Sequence, residues 1–137
     1  MNVLVGQSGG PTSVINASLA GVFQAAQRRG VEHVYGMVNG IAGFLEGKTV
    51  DLGETLCGNL EIELLKRTPS SFLGSCRYKL PDPAQDETPY RRIFEKLDAM
   101  DIGLLFYIGG NDSMDTILKL SDYAKAIGSS IRMMGVP

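Results

Sequence analysis

Two stretches of the chain set glycines beside small polar residues, an arrangement that lets bare backbone approach an anion. The first is Gly6-Gln-Ser-Gly-Gly-Pro-Thr-Ser13 and the second is Ile108-Gly-Gly-Asn-Asp-Ser-Met-Asp-Thr116. If each opens a helix, its peptide N–H groups and hydroxyls would hold phosphate oxygens, because the orphan amides of a first turn and the helix dipole both favour negative charge. The first loop lacks the lysine of G-x-x-x-x-G-K-[ST] and the spacing of G-x-G-x-x-G, so it is neither of the common nucleotide loops. Alone it reads equally as a tight strand-to-helix turn. The second loop adds Asn111, Asp112 and Asp115, whose oxygens suit a magnesium ion directly or through water. Its bland alternative is that Asn111 and Asp112 are helix caps.

Between the loops, Phe72-Leu-Gly-Ser-Cys-Arg-Tyr78 carries an arginine whose planar fork could reach phosphate oxygens. A single arginine in a polar segment is by itself better read as a solvated charge. His33 falls in an expected strand and reads as structural or exposed. Cys57 and Cys76 lack metal-ligand spacing and read as reduced thiols. Arg91, Arg92, Glu95 and Lys96 read as the solvated face of a helix.

The elements that must carry these loops follow from hydrophobic spacing. Asn2 to Val5 is a short apolar run broken at Gly6, and Val14, Ile15, Leu19, Val22, Phe23 and Ala26 recur at helical spacing. This is strand, glycine loop, helix. The helix is expected to start near Thr12 or Ser13, which can cap it, and to stop at Gly30 after Arg28 and Arg29. A second strand is expected at His33–Val38, a helical turn at Ile41–Leu45 and an edge strand at Lys48–Val50, and Leu56, Leu60 and Leu64 give Glu54–Lys66 a helical spacing that Gly58 and the Thr68-Pro69 pair limit. A long proline-bearing loop, 68–87, stands out as a substrate-side segment, since loops of that length commonly serve function. A helix at Pro89–Met100, a buried strand at Gly103–Ile108, a helix ending at Ile127 and a strand at Ser130–Val136 complete the pattern. Alternating strands and helices predict an α/β fold, a Rossmann-like open, mostly parallel sheet flanked by helices.

Composition narrows the partners. Seventeen glycines among 137 residues exceed the ordinary ~7%, and they cluster where backbone must turn or meet a ligand. A net charge of −2 gives no basic footprint for nucleic acid or for an anionic membrane surface, so neither is expected as a partner. No basic segment precedes an apolar N-terminal stretch and no apolar run approaches ~18 residues, which makes a cytoplasmic enzyme the expectation.

Taken together, the S-G-G loop at Ser8–Gly10 with Asn16 downstream, the F-L-G-S-x-R segment at Phe72–Arg77 and the G-G-N-D-S loop at Gly109–Ser113 resemble, in order and spacing, the phosphofructokinase family. The resemblance spans essentially the whole chain. It implies that residues 1–137 form the donor-phosphate-binding part of that fold, with donor phosphate at Gly9, Gly10, Arg77, Tyr78, Gly110 and Ser113, and with Asn111 associated with Mg2+. Asp112 stands where ATP-using members typically carry glycine and pyrophosphate-using members carry aspartate, so it implies pyrophosphate as donor and fructose 6-phosphate as acceptor. At ~4 Å and an effective dielectric of ~20, a carboxylate facing the α-phosphate of ATP repels it by about 4 kcal/mol. Asn111 departs from the aspartate that ATP-using members place at the metal position. The resemblance further implies a homo-oligomer, and a P-K-T-I-D-N-D segment beyond Pro137 that holds the catalytic base, so no catalytic residue is expected within this stretch and no turnover from it alone. Rival readings are an ATP-dependent member of the same family and a non-catalytic phosphate- or nucleotide-binding module.

Overall fold

A computed structural model describes residues 1–7, 13–56, 58, 61–62, 66, 73 and 80–136. Its centre is β1 (Asn2–Gln7), a strand buried at every position. Burial on both faces requires neighbours on both sides, and β1 has them. It pairs in parallel with β2 (Val34–Met37) and with β4 (Ile102–Ile108), and β4 pairs in parallel with β5 (Arg132–Val136). The short β3 (Thr49–Asp51) adds to the free side of β2 and runs antiparallel, giving the order β3-β2-β1-β4-β5. The mostly parallel sheet expected from the alternation of periods is thus present, with β3 in the place expected for an edge strand.

Helices cover both faces because the strands alternate. Val3 and Val5 point with Ile108 toward α1 (Ser13–Arg28), whose Leu19 and Phe23 pack on them together with Leu52 of α3 (Leu52–Thr55) and Leu56 just beyond it. Leu4, Leu105 and Tyr107 point the other way, toward Ile41 and Phe44 of α2 (Gly40–Leu45), Ile93 and Leu97 of α4 (Thr88–Ala99) and Leu120 of α5 (Asn111–Ala126). Side chains such as Phe23 and Leu105, fully buried, each contribute about 1.5–3 kcal/mol.

Helix ends follow local chemistry. α1 closes where Gly30 turns left-handed at φ +72°, with Gly30 N–H donating to Gln27 O and Val31 N–H to Ala26 O. The same pair of bonds ends α5 at Gly128, φ +71°. α4 stops without glycine: Asp101 takes φ +54° itself, and its N–H donates to Asp98 O.

One expectation needs correcting. The helix expected over 54–66 is not one element, since α3 begins at Leu52 and breaks at Leu56, φ −107° and ψ 58°. The cause is Asp51, whose Oδ1 accepts from Gly53 N–H at 2.9 Å and starts the turn early. Arg92 lies on the exposed helix face expected for it, where its Nη2 donates to Leu45 O at 2.9 Å and satisfies a carbonyl at the end of α2. Arg91 pairs with Glu87 as an exposed helix-face ion pair. Among the described residues no helix is long and apolar enough to cross a membrane.

Candidate functional site

Strand order locates the site. From β1 the chain moves to β2 on one side, whereas from β4 it moves to β5 on the other, so the connections diverge between β1 and β4. Ligands of open α/β sheets bind at the carboxyl ends of strands where such a divergence leaves a crevice. The strands end level there, with Gln7 opposite Ile108. Both glycine loops therefore leave the sheet from neighbouring strands at the same edge. Residues 8–12 of the first loop, including Gly9 and Gly10, lie outside the described residues, as do Arg77 and Tyr78.

The second loop is described throughout. Gly109 N–H donates to Val136 O at 3.1 Å, and Gly110 is the residue preceding α5, in extended backbone at φ −87° and ψ −154°. No side chain caps this helix, and Asn111 and Asp112 are already its first two residues. The capping alternative for those two residues therefore fails, and the amides at the start of the helix meet no side-chain cap. Gly110, Asn111 and Asp112 are exposed, while Ser113 beside them is buried. Among the described residues, Ser113 Oγ has no hydrogen-bond partner. A buried hydroxyl left unpaired costs about 1–3 kcal/mol, which a ligand oxygen at this position would recover.

Glycines of the two loops serve different ends. A methyl group at Gly6 would lie 2.7 Å from the Tyr107 ring and from Met37 Sδ, so glycine is needed there for packing. At Gly110 a methyl group would meet nothing within 4 Å. Internal packing does not call for glycine at 110, and the space it leaves faces outward.

Acidic groups divide as well. Asp115, expected as a possible magnesium ligand, pairs with Lys119 Nζ at 2.9 Å one turn on, and the same ammonium donates to Leu80 O at 3.0 Å. Asp115 is thereby tied to Lys119, whereas Asn111 and Asp112 stand exposed on the first turn beside Gly110. Asp112 sits where the helix dipole favours negative charge, and it places a fixed carboxylate close to where an anion would dock. Among the described residues no three Cys, His, Asp or Glu side chains converge on a metal position. Magnesium needs no such cage, since it is commonly held by one or two protein oxygens plus substrate phosphates, and Asn111 with Asp112 fits that pattern. His33, 50% exposed, pairs with Asp51 Oδ2 at 3.2 Å and stacks on Tyr35, which makes it a structural residue remote from this edge.

One residue at the site escaped the sequence reading. Gln7, fully buried at the end of β1, accepts from Leu73 N–H through Oε1 at 2.9 Å and donates through Nε2 to Asn16 Oδ1 at 3.3 Å. Leu73 O in turn accepts from Asn39 N–H at 2.8 Å, just after β2. Leu73 is the one described residue of the F-L-G-S-x-R segment, and these bonds hold it at the carboxyl ends of β1 and β2. The available signal was a glutamine ending an otherwise apolar strand.

Known proteins agree with this geometry. The chain matches the family described as Phosphofructokinase over residues 2–137. It is 44% identical to a pyrophosphate–fructose 6-phosphate 1-phosphotransferase of Xanthomonas campestris pv. campestris over 99% of the chain, and 42% identical to one of Rhodospirillum rubrum over 98%. Each alignment covers 32% of the relative. The crystal structure of a pyrophosphate-dependent phosphofructokinase from Nitrosospira multiformis superposes with a TM-score of 0.89 at 41% identity, covering 99% of this chain and 33% of that one. The chain thus spans about a third of the length of the relatives it matches. With the family match running from Asn2 to the last residue, and with β1 and β4 both ending at the divergence of the sheet, the chain belongs to the phosphofructokinase family.

Proposed function

We propose that this chain is the donor-binding part of an enzyme that transfers a phosphoryl group reversibly between pyrophosphate and fructose 6-phosphate. The observation that carries the reading is Asp112, an exposed carboxylate on the first turn of α5 beside the open face of Gly110 and the unpaired hydroxyl of Ser113. The relatives named above carry pyrophosphate and fructose 6-phosphate in their names, which supports it.

On this reading the chain's residues do three things. Backbone amides of the Gly109–Ser113 loop, with Ser113 Oγ, hold terminal donor oxygens, and Gly9, Gly10, Arg77 and Tyr78 complete the phosphate contacts. Asp112 rejects a donor that extends past two phosphates, because like charges at ~4 Å and an effective dielectric of ~20 repel by about 4 kcal/mol. That is roughly a thousandfold discrimination against ATP. Asn111 and Asp112 would hold Mg2+, which when bound would neutralise negative charge on the donor phosphates. Phosphoryl transfer then depends on how rigidly donor and acceptor are placed, together with a base that takes the sugar hydroxyl's proton. We place the protein in the cytoplasm as a homo-oligomer.

The test is a coupled assay of the full-length protein with fructose 6-phosphate and either pyrophosphate or ATP. Pyrophosphate is expected to be preferred by about a thousandfold in kcat/KM. Preference for ATP would overturn the donor assignment, and absence of transfer from either donor would favour a binding module.

A further inference from the structure

We propose that Gln7 is a positioning residue for phosphoryl transfer, fixing Leu73, four residues before Arg77 in the sequence, against α1, the helix that follows the first glycine loop. The proposal rests on the reading given under Proposed function.

Three elements meet at this one side chain. Gln7 ends β1 and is fully buried. Its Oε1 accepts from Leu73 N–H at 2.9 Å, and its Nε2 donates to Asn16 Oδ1 at 3.3 Å on α1. Both contacts are buried, in surroundings where a hydrogen bond is electrostatically stronger than in water. Leu73 is held from its other side as well, because its carbonyl accepts from Asn39 N–H at 2.8 Å. Its side chain lies so close over β2 that a methyl group on Gly36 would fall 2.9 Å from Leu73 Cδ2.

The chemistry of the amide explains why glutamine suits the position. One arm must accept from a peptide N–H while the other donates to a side-chain carbonyl, and no charge can be left in a buried site. An uncharged amide does both; methionine of similar length does neither, and an ionised glutamate loses the donor. Arg77 follows Leu73 by four residues, at most ~14 Å of extended chain, so an error in placing Leu73 passes along a short tether to the arginine assigned to donor phosphate. Misplacing a reacting group by about 1 Å can cost on the order of 10²-fold in rate.

The experiment compares wild type, Gln7→Met and Gln7→Glu in the full-length protein. Hydrogen exchange at the Leu73 amide reports the tie, and steady-state kinetics with pyrophosphate and fructose 6-phosphate report its use. In Gln7→Met the Leu73 amide should lose protection and kcat should fall on the order of 10²-fold, with KM for pyrophosphate changing less than ~3-fold. Gln7→Glu keeps the acceptor for Leu73, so protection should remain and kcat should fall by only about tenfold; this variant also decides the matter if Gln7→Met does not fold. Unchanged protection in Gln7→Met, or lost protection with unaltered kcat, overturns the proposal, as does Gln7→Glu matching wild type in both measurements. A wild type without pyrophosphate turnover overturns the underlying reading and the proposal with it, whereas an active wild type with equally active variants overturns the proposal alone.

Discussion

Gln7 and Ile108 stand opposite each other as the last register pair of two neighbouring parallel strands, and the chain leaves each strand toward a different side of the sheet. Two glycine-rich loops far apart in sequence consequently begin side by side. The place of the candidate site is a consequence of strand order, and the chemistry proposed for it depends on which residues of the second loop face outward.

Asp112 is the residue on which the proposed donor choice turns. Asp112→Gly in the full-length protein removes the carboxylate from the first turn of α5, where no side-chain cap depends on it. We expect kcat/KM for ATP to rise by two to three orders of magnitude at roughly constant stability, given the ~4 kcal/mol repulsion at stake. An ATP rate that stays flat would show that discrimination lies elsewhere.

Ser113 separates binding from folding. Its Oγ is buried without a partner, so Ser113→Ala removes an unsatisfied group and should leave the melting temperature equal or higher. If that hydroxyl meets a phosphate oxygen, its loss costs about 1.5–3 kcal/mol and raises KM for pyrophosphate at least about tenfold. A lower melting temperature with unchanged KM would assign the hydroxyl to the fold instead.

Gly6 and Gly110 offer a matched pair of alanine substitutions. At Gly6 the new methyl group lies 2.7 Å from the Tyr107 ring and Met37 Sδ, and overpacking of this kind costs about 1–3 kcal/mol in denaturant titration. At Gly110 it meets nothing within 4 Å and the backbone has φ −87°, so stability should hold within ~0.5 kcal/mol while pyrophosphate binding weakens. Equal stability losses at both sites would contradict the assignment of Gly110 to ligand space.

Asp51 anchors the edge of the sheet rather than the site. Oδ1 accepts from Gly53 N–H at 2.9 Å and Oδ2 meets His33 Nδ1 at 3.2 Å. Asp51→Ala should cost about 1 kcal/mol, mainly from the lost cap, with kcat unaffected. His33→Ala should cost less, since its side chain is half exposed and such pairs contribute little. Urea unfolding of both variants checks the order.

Sequence patterns located most of the frame. The apolar run at Asn2–Val5, the helical spacing from Val14 and the polar loop after Ile108 each depend on neighbours a few residues away, so local periodicity was enough to find β1, α1, β4 and α5. The stretch 54–66 misled because Leu56, Leu60 and Leu64 share a helical spacing, while the competing cap from Asp51 acts before that pattern starts. The hydrogen bond that Arg92 makes from its exposed face was not legible for a related reason: its partner, Leu45 O, lies 47 residues earlier.

The residues of this chain determined, unaided, that two glycine loops follow strands and open helices, and that the charge balance lacks a basic footprint. All of this is short-range chemistry written in neighbouring residues. Tertiary structure alone decided that the loops share one edge, that Asp115 is tied to Lys119 while Asn111 and Asp112 stand outward, and that Ser113 Oγ is buried and unpaired. It also decided that Gln7 reaches Leu73, 66 residues away. Pairings at such separations follow from strand order and packing, and no local spacing in the sequence encodes them.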